Sequence, residues 1–413
     1  MQRPIAPAVH RSIYNYSVKY FLEKQGKDHV KKAKDLKLQS NDELKYHKIL
    51  DFYITKDEIN RTEVNNFLFE QVNYGRMKNI FIYEIQNINF SKVSNFENII
   101  HCINNLKYKN ANTLKEKYFV GDLRKGLKQN EKELFCLETF TDSKGHLESI
   151  HLLLAKGIKN NQGEDCNHYI PVEIKLKERK VYIRMKNWES SAKFYGFKLD
   201  EEIKKVVEDL KHSFDFTLQM PIDKTQSIIR RMLRDLTQTV LMSTQDKVNN
   251  LIEEDVRVTI RDWAKKTLPT NVTLLEKDYI NLEKYILNHF YSLKFKFDHK
   301  DLTTNTIQQS FNVPGYPTYV KFTDDTISEA RTKSQSTSES LLLTSIYYDL
   351  KARLDDANQI RLATVYWTDA PIRKNLGVSY KGDVQNQLNV VVKYNFFNKE
   401  IYDHVLQKIR KYY

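Results

Sequence analysis

Glu173 and Lys175 stand two residues apart in YIPVEIKLKERKVYIRMKNW, residues 169–188. That spacing can serve phosphodiester cleavage. A carboxylate pair on adjoining strands holds a divalent cation, the lysine positions or activates the attacking water, and the metal's charge stabilises the transition state. Asp165 or Glu164 would complete the pair, with Glu148 as a further carboxylate and Mg²⁺ as the cofactor. Three features count against this chemistry. No Pro-Asp precedes the pair, GEDCNH (163–168) reads as a loop, and Glu-x-Lys arises often by chance in a chain with 29% charged residues.

The same stretch carries a second reading, without metal or cofactor. Side chains alternate across a strand. Val172, Ile174 and Leu176 therefore share one face with Val181, Ile183 and Met185, after a turn near 178–180. The opposite face offers Lys175, Lys177, Arg184 and Lys186, a basic and aromatic surface suited to phosphates. Further along, Arg257, Arg261 and Lys265 fall four apart, on one side of a helix, with Arg230, Arg231 and Arg234 as a second cluster. Acidic neighbours, Glu253, Glu254 and Asp262, could instead pair with that ridge.

Other donor sets are weaker. Cys136, His146, His151, Cys166 and His168 are five potential ligands in 33 residues, yet they lack the close pairs of a structural zinc site, and His146 and His151 differ in strand parity. The pairs Asp324/Asp325 and Asp355/Asp356, with Asp369, offer carboxylates that are equally ordinary in turns. No phosphate loop, dinucleotide fingerprint or nucleophile elbow is present, which excludes the commonest nucleotide and hydrolase architectures.

These residues need elements to hold them. Strands are expected at 78–88 and through ELFCLETF, LESIHLLLAKGI, IPVEIKLK and KVYIRMKNW, and a short helix near 94–106. LDEEIKKVVEDLKH begins acidic and ends basic, as a helix dipole prefers, and its stripe Leu199, Ile203, Val206, Val207 and Leu210 should pack on the hairpin's apolar floor. Residues 222–292 read as three helices. The first is striped by Ile228, Ile229, Met232, Leu233, Leu236 and Val240; the third has a seam near Leu282, Tyr285, Ile286 and His289. Residues 293–413 mix strands with two helices; NVPGYPTY reads as a turn or linker and 328–340 as an exposed loop, with Ser338 or Ser340 near a helix cap. At the N-terminus, Tyr16, Tyr20 and Lys24 share a helix face that is either a stacking surface or an inward-packed one.

The expected fold is α+β: a basic N-terminal α/β region (1–118), an antiparallel sheet with a helix (119–221), a central helical module (222–292) and a C-terminal mixed α/β domain (293–413). The charge is 66 Lys and Arg against 53 Asp and Glu, or +13. It favours a polyanionic partner, nucleic acid before an anionic membrane. Three scattered cysteines suggest reduced thiols, and no stretch approaches the roughly 18–20 apolar residues of a membrane span. A cytosolic nucleic-acid-binding component of a DNA- or RNA-handling system, conceivably antiviral or mobile-element in setting, is the first expectation. A metal-dependent nuclease of the PD-(D/E)xK type is the second. A protein-binding scaffold or sensor, using its tyrosine-rich surfaces, is the third.

Overall fold

The chain folds as two compact units, 1–220 with 386–402, and 221–385 with 403–413. In the computed structural model the described residues are 4–40, 42, 44–110, 118–120, 122–188, 197–251, 254–269, 274–323, 329–334, 339–371, 375–384, 386–394 and 397–413. The α+β class holds, with helices and antiparallel sheet in both units.

The first unit opens with five helices: α1 (Pro7–Ser12), α2 (Asn15–Lys24), α3 (His29–Asp35), α4 (Lys45–Thr55) and α5 (Arg61–Asn73). After β1 (Asn79–Glu84) and α6 (Phe96–Asn104) come β2 (Tyr118–Val120), β3 (Lys132–Thr141), β4 (Leu147–Lys159), β5 (Asp165–Lys175), β6 (Lys180–Met185) and α7 (Leu199–Phe214). The strand order is β2-β3-β4-β5-β6-β1. A late segment returns to β1: residues 388–392, designated β11, pair antiparallel with it.

Strand alternation gives this sheet its core. Val172, Ile174, Leu176, Val181, Ile183 and Met185 join one buried cluster with Leu199, Ile203, Val206, Val207 and Leu210 of α7 and Ile99 and Ile103 of α6. The apolar floor and its helix are as the sequence predicts. The helix α7 carries Asp200, Glu201 and Glu202 in its first turn and Lys211 and His212 in its last, and stops where Asp215 turns left-handed at φ 58°.

The second unit begins with α8 (Ile222–Leu251), α9 (Glu254–Thr267), α10 (Glu276–Asp298) and α11 (Thr304–Phe311). Then follow β7 (Gly315–Thr323), β8 (Glu329–Lys333), α12 (Ser345–Asp355), β9 (Gln359–Trp367) and β10 (Leu376–Lys381), in the sheet order β10-β9-β7-β8. A last helix, α13 (Lys399–Arg410), contributes its first turn to unit 1 and the remainder to unit 2. The stripe on α8 is buried as expected and packs on β7 and β9. Gln226 fixes that packing: its Nε2 donates to the carbonyls of Ile360 (3.0 Å) and Gly382 (2.7 Å), and its Oε1 accepts from Ile360 N (2.7 Å).

Three sequence expectations are corrected here. NVPGYPTY is not a linker, since β7 starts at Gly315 and runs through Pro317, which is tolerated because the register slips between Pro317 and Tyr319. The loop expected at 328–340 contains β8, while 335–338, including Ser338, lie outside the described residues. Ser340 caps a short 3₁₀ turn at 341–343, accepting from Leu342 N, and the helix itself starts only at Ser345.

Gly157 is required by a close backbone crossing. Its N donates to Glu131 O at 2.8 Å and its O accepts from Asn130 N at 2.9 Å, so residues 128–131 lie against β4. A Cβ on Gly157 would sit 1.8 Å from Lys128 O. Gly157→Ala is expected to lower the unfolding free energy by about 2–3 kcal/mol, the scale of an overpacked core. An unchanged urea midpoint would show that the crossing segment shifts freely.

Candidate nucleic-acid interface

The polar face of the hairpin is covered. Glu173 and Arg184, expected at a surface, are only 5% and 2% exposed. Their carboxylate and guanidinium pair at 2.8 Å. Tyr74 and Tyr402 stack on the guanidinium, with ring centroids at 4.5 and 4.2 Å. His151 stands opposite Glu173 in the β4–β5 register. Burial raises the Glu173 carboxyl, but Arg184, helped by His151 and Lys175, holds it below the usual carboxylate range. Burial likewise pushes His151 below its ordinary value. Arg184 is therefore an internal counterion and not a phosphate contact.

The remaining cleavage candidates do not meet at Glu173. Asp165 opens the same strand eight residues away, on the order of 26 Å at about 3.3 Å per residue. Glu164 is held by Arg11 at 2.6 Å and by Asn160 at 2.8 Å. The five zinc candidates divide likewise. Cys166 and His168 share strand parity with Ile170 and Val172, whereas His151 and Cys136 lie on the Glu173 side, and His146 is in an exposed turn. Among the described residues no three His, Cys, Asp or Glu side chains cluster as a metal site. Asp355 pairs with Lys351, Asp356 with Lys284 and Asp369 with Lys408. Asp324 and Asp325 lie outside the described residues.

The basic candidates separate into engaged and open groups. Lys186 lies just past β6, its Nζ 3.7 Å from the Trp188 ring centre and donating to Ser12 O at 3.3 Å; burial pushes it down to about 8. On α9, Arg261 is taken by Glu283 at 2.6 Å and Glu276 at 2.8 Å, which breaks the expected ridge. Arg257 and Lys265 stay exposed, as does Lys177, with Lys175 half-buried. Glu253 lies outside the described residues. In unit 1, Tyr16, Tyr20 and Lys24 project outward from α2, so this face is open and not inward-packed.

A cleft of about 780 Å³ opens in unit 2 between α8, α12 and the start of β9. Helical spacing on α8 brings Gln226, Arg230, Arg234, Thr237 and Leu241 to its wall, with Arg231 beside them. Across it stand Tyr347, Lys351, Asp355 and Asn358. The arginines are anchored by uncharged groups. Arg230 Nη2 donates to the carbonyls of Ala357 and Asn358, and Arg231 Nη2 to Tyr412 O at 2.6 Å. The Arg234 side chain is exposed and has no hydrogen-bond or ion-pair partner among the described residues. The sequence offered this trio only as a neighbouring cluster; the i, i+4 spacing of Arg230 and Arg234 was the signal for a shared wall.

The buried pair makes a quantitative demand. Arg184→Ala leaves Glu173 uncompensated and is expected to cost about 3–5 kcal/mol in denaturant unfolding. The sign with pH follows from the lowered Glu173 carboxyl. Its contribution is complete above the ordinary value of 4.5 and is lost as pH falls through the depressed folded value. The cost of Arg184→Ala should thus be largest near neutrality and shrink in acid. A pH-independent difference would remove Glu173 as the partner that matters.

No protein-family model, curated protein or solved structure matches this chain.

Proposed function

We propose that the protein binds nucleic acid, with the cleft of unit 2 as the principal phosphate-binding surface and the open basic and aromatic groups of each unit as further contacts. The observation that carries this reading is the state of Arg230, Arg231 and Arg234. Two are held by backbone carbonyls and the side chain of the third has no partner among the described residues, so two are positioned and none of the three is paired with a carboxylate there. A guanidinium held in this way keeps its charge and its remaining N–H donors for phosphate oxygens. Arg257 and Lys265 on α9, and Lys175 and Lys177 at the hairpin, add exposed or half-exposed cations. Tyr16, Tyr20 and Lys24 on α2 supply an outward aromatic face beside positive charge, the arrangement on which unpaired bases stack.

The net charge of +13 supports long-range attraction to a polyanion. The three cysteines are buried free thiols, which suits a reducing compartment, and we place the protein in the cytoplasm on that ground. Among the described residues no helix is long and apolar enough to cross a membrane. A role within a larger DNA- or RNA-handling assembly, antiviral or mobile-element in setting, is consistent with a binding surface of this kind.

Charge reversal at three exposed positions, Arg234→Glu, Arg257→Glu and Lys265→Glu, tests the reading with little risk to folding. Each lost phosphate contact should reduce the slope of log Kobs against log[salt] by about 0.7–0.9. Fluorescence anisotropy with single- and double-stranded DNA and RNA at several salt concentrations measures it. Wild-type affinity and slope in the triple variant would refute the surface.

A further inference from the structure

The helix α10 is packed the opposite way from its sequence pattern. Its buried side chains are Asn288, Tyr291, Ser292 and Phe295, which face α8 and α12. Of the seam expected near Leu282, Tyr285, Ile286 and His289, Tyr285 and His289 are exposed, while Leu282 and Ile286 are half-buried. At 3.6 residues per turn, Leu275, Tyr279, Leu282, Ile286, Phe290, Leu293 and Phe297 fall within an arc of about 80°. Four of them are prominently open: Leu275 at 68%, Phe290 at 51%, Leu293 at 53% and Phe297 at 67%. A continuous apolar stripe runs over a 23-residue helix, about 34 Å long; from Tyr279 to Ile286 it is half-buried, with Arg261 and Lys265 of α9 over the Tyr279 ring at 5.7 and 5.8 Å, and its second half is exposed among the described residues.

We infer that this stripe is a self-association surface, on which two copies of the chain pair their α10 helices antiparallel about a two-fold axis at Ile286. Two independent features select a second copy over other occupants. The first is spacing. The steps along the stripe are 4, 3, 4, 4, 3, 4, the same in both directions. Antiparallel pairing therefore sets Leu275 against Phe297, Tyr279 against Leu293, Leu282 against Phe290, and Ile286 against itself. Each pair away from the axis joins an aromatic ring to an aliphatic side chain, which interdigitates better than rings against rings. An isologous interface requires this self-complementarity.

The second feature is charge. Residues flanking the stripe on the same side meet one another in such a pair. Glu276 lies on one side with Lys294, and Asp278 on the other with Lys296. The two-fold brings Glu276 of one copy beside Lys294 of the other, and Asp278 beside Lys296, at both ends. A parallel arrangement would oppose like charges. These four groups already have light duties within the chain: Glu276 to Arg261, Asp278 to Leu275 N, Lys294 to Asp298 and Lys296 to Ser345. All are at least partly exposed and can accept a further partner.

This surface is separate from the arginine cleft, so mass and the nucleic-acid affinity of Arg234→Glu report on the two independently; Lys265 stands 5.8 Å over the Tyr279 ring of the stripe and is left unchanged in this comparison. Light scattering over a concentration series should show dimers that Phe297→Glu dissociates while circular dichroism stays unchanged. Glu276→Lys and Lys294→Glu should each weaken the dimer at least about tenfold, and the double variant should recover, because each new charge meets an opposite one. Register is read by cross-linking. The native thiols are buried, so a mixture of Leu275→Cys and Phe297→Cys proteins treated with a short bismaleimide should couple one variant to the other. Neither should couple well to itself, since the ends of the stripe are about 33 Å apart. A monomer at every concentration, preferential coupling of one variant to itself, or a double variant weaker than either single one would each overturn the proposal. So would a wild-type monomer in which Phe297→Glu lowers single-strand binding, because the stripe would then be a base-stacking face.

Discussion

The ion pair between Glu173 and Arg184 is the constraint on which unit 1 depends. Two opposite charges with almost no exposure are tolerated only if each has its partner, and the partners sit on neighbouring strands. Pairing Glu173 with Tyr182 places Arg184 one pleat further along the same face. A slip of one residue between β5 and β6 would drive the guanidinium into the cluster of Phe81, Val172 and Ile183. The charges thus set the register that the apolar side merely prefers. They also gather distant chain. Tyr74 comes from the end of α5 and Tyr402 from the first turn of α13, and both lay aromatic rings on Arg184. The return of 386–402 to the first unit is closed by this stacking as well as by β11 beside β1.

Much of this sheet was legible and one aspect was not. Alternation identified which residues of 172–185 share a face, and the apolar face was found, with α7 upon it, because burial of that row needs no information beyond parity and composition. The other face was misjudged. A strand whose outward row reads Glu, Lys, Lys looks the same whether that row meets water or an internal counterion. What decides is coverage, and α1 and α5, which pack on β5, begin 158 and 104 residues before it. The helix α10 fails for the same reason with the opposite result. Of its apolar stripe only Leu282 and Ile286 were read from the sequence, and the inward turn of Asn288 and Ser292 was not, because the neighbours that accept them come from α8 and α12. Pro317 shows a local rule overridden: two prolines flanking a glycine suggested a turn, while a slipped register allowed a strand.

For the basic residues, the sequence specified faces and not partners. Spacing of four put Arg257, Arg261 and Lys265 on one side of α9, correctly as geometry. It could not show that Glu276 and Glu283 of the next helix would neutralise the middle one. Arg230 and Arg231 differ in the chemistry of their acceptors. A carboxylate cancels a guanidinium's charge as it holds it. A backbone carbonyl holds it and leaves the charge in place.

Under the proposed function, that difference favours the cleft over the ridge as the principal phosphate site. A long flexible cation on an open face loses rotamer freedom when it clamps a phosphate, roughly 0.5–1.5 kcal/mol for each side chain ordered. Arg230 and Arg231 are already ordered by Ala357, Asn358 and Tyr412, so that cost is met in folding. Arg234, Arg257 and Lys265 would still incur it. The anchored pair also lies in a concavity, where lower dielectric walls strengthen each charge that remains. Under the proposed function, two fixed arginines in a cleft with an exposed third at its edge would seat phosphate groups in place, and the exposed lysines outside it would draw the polymer in.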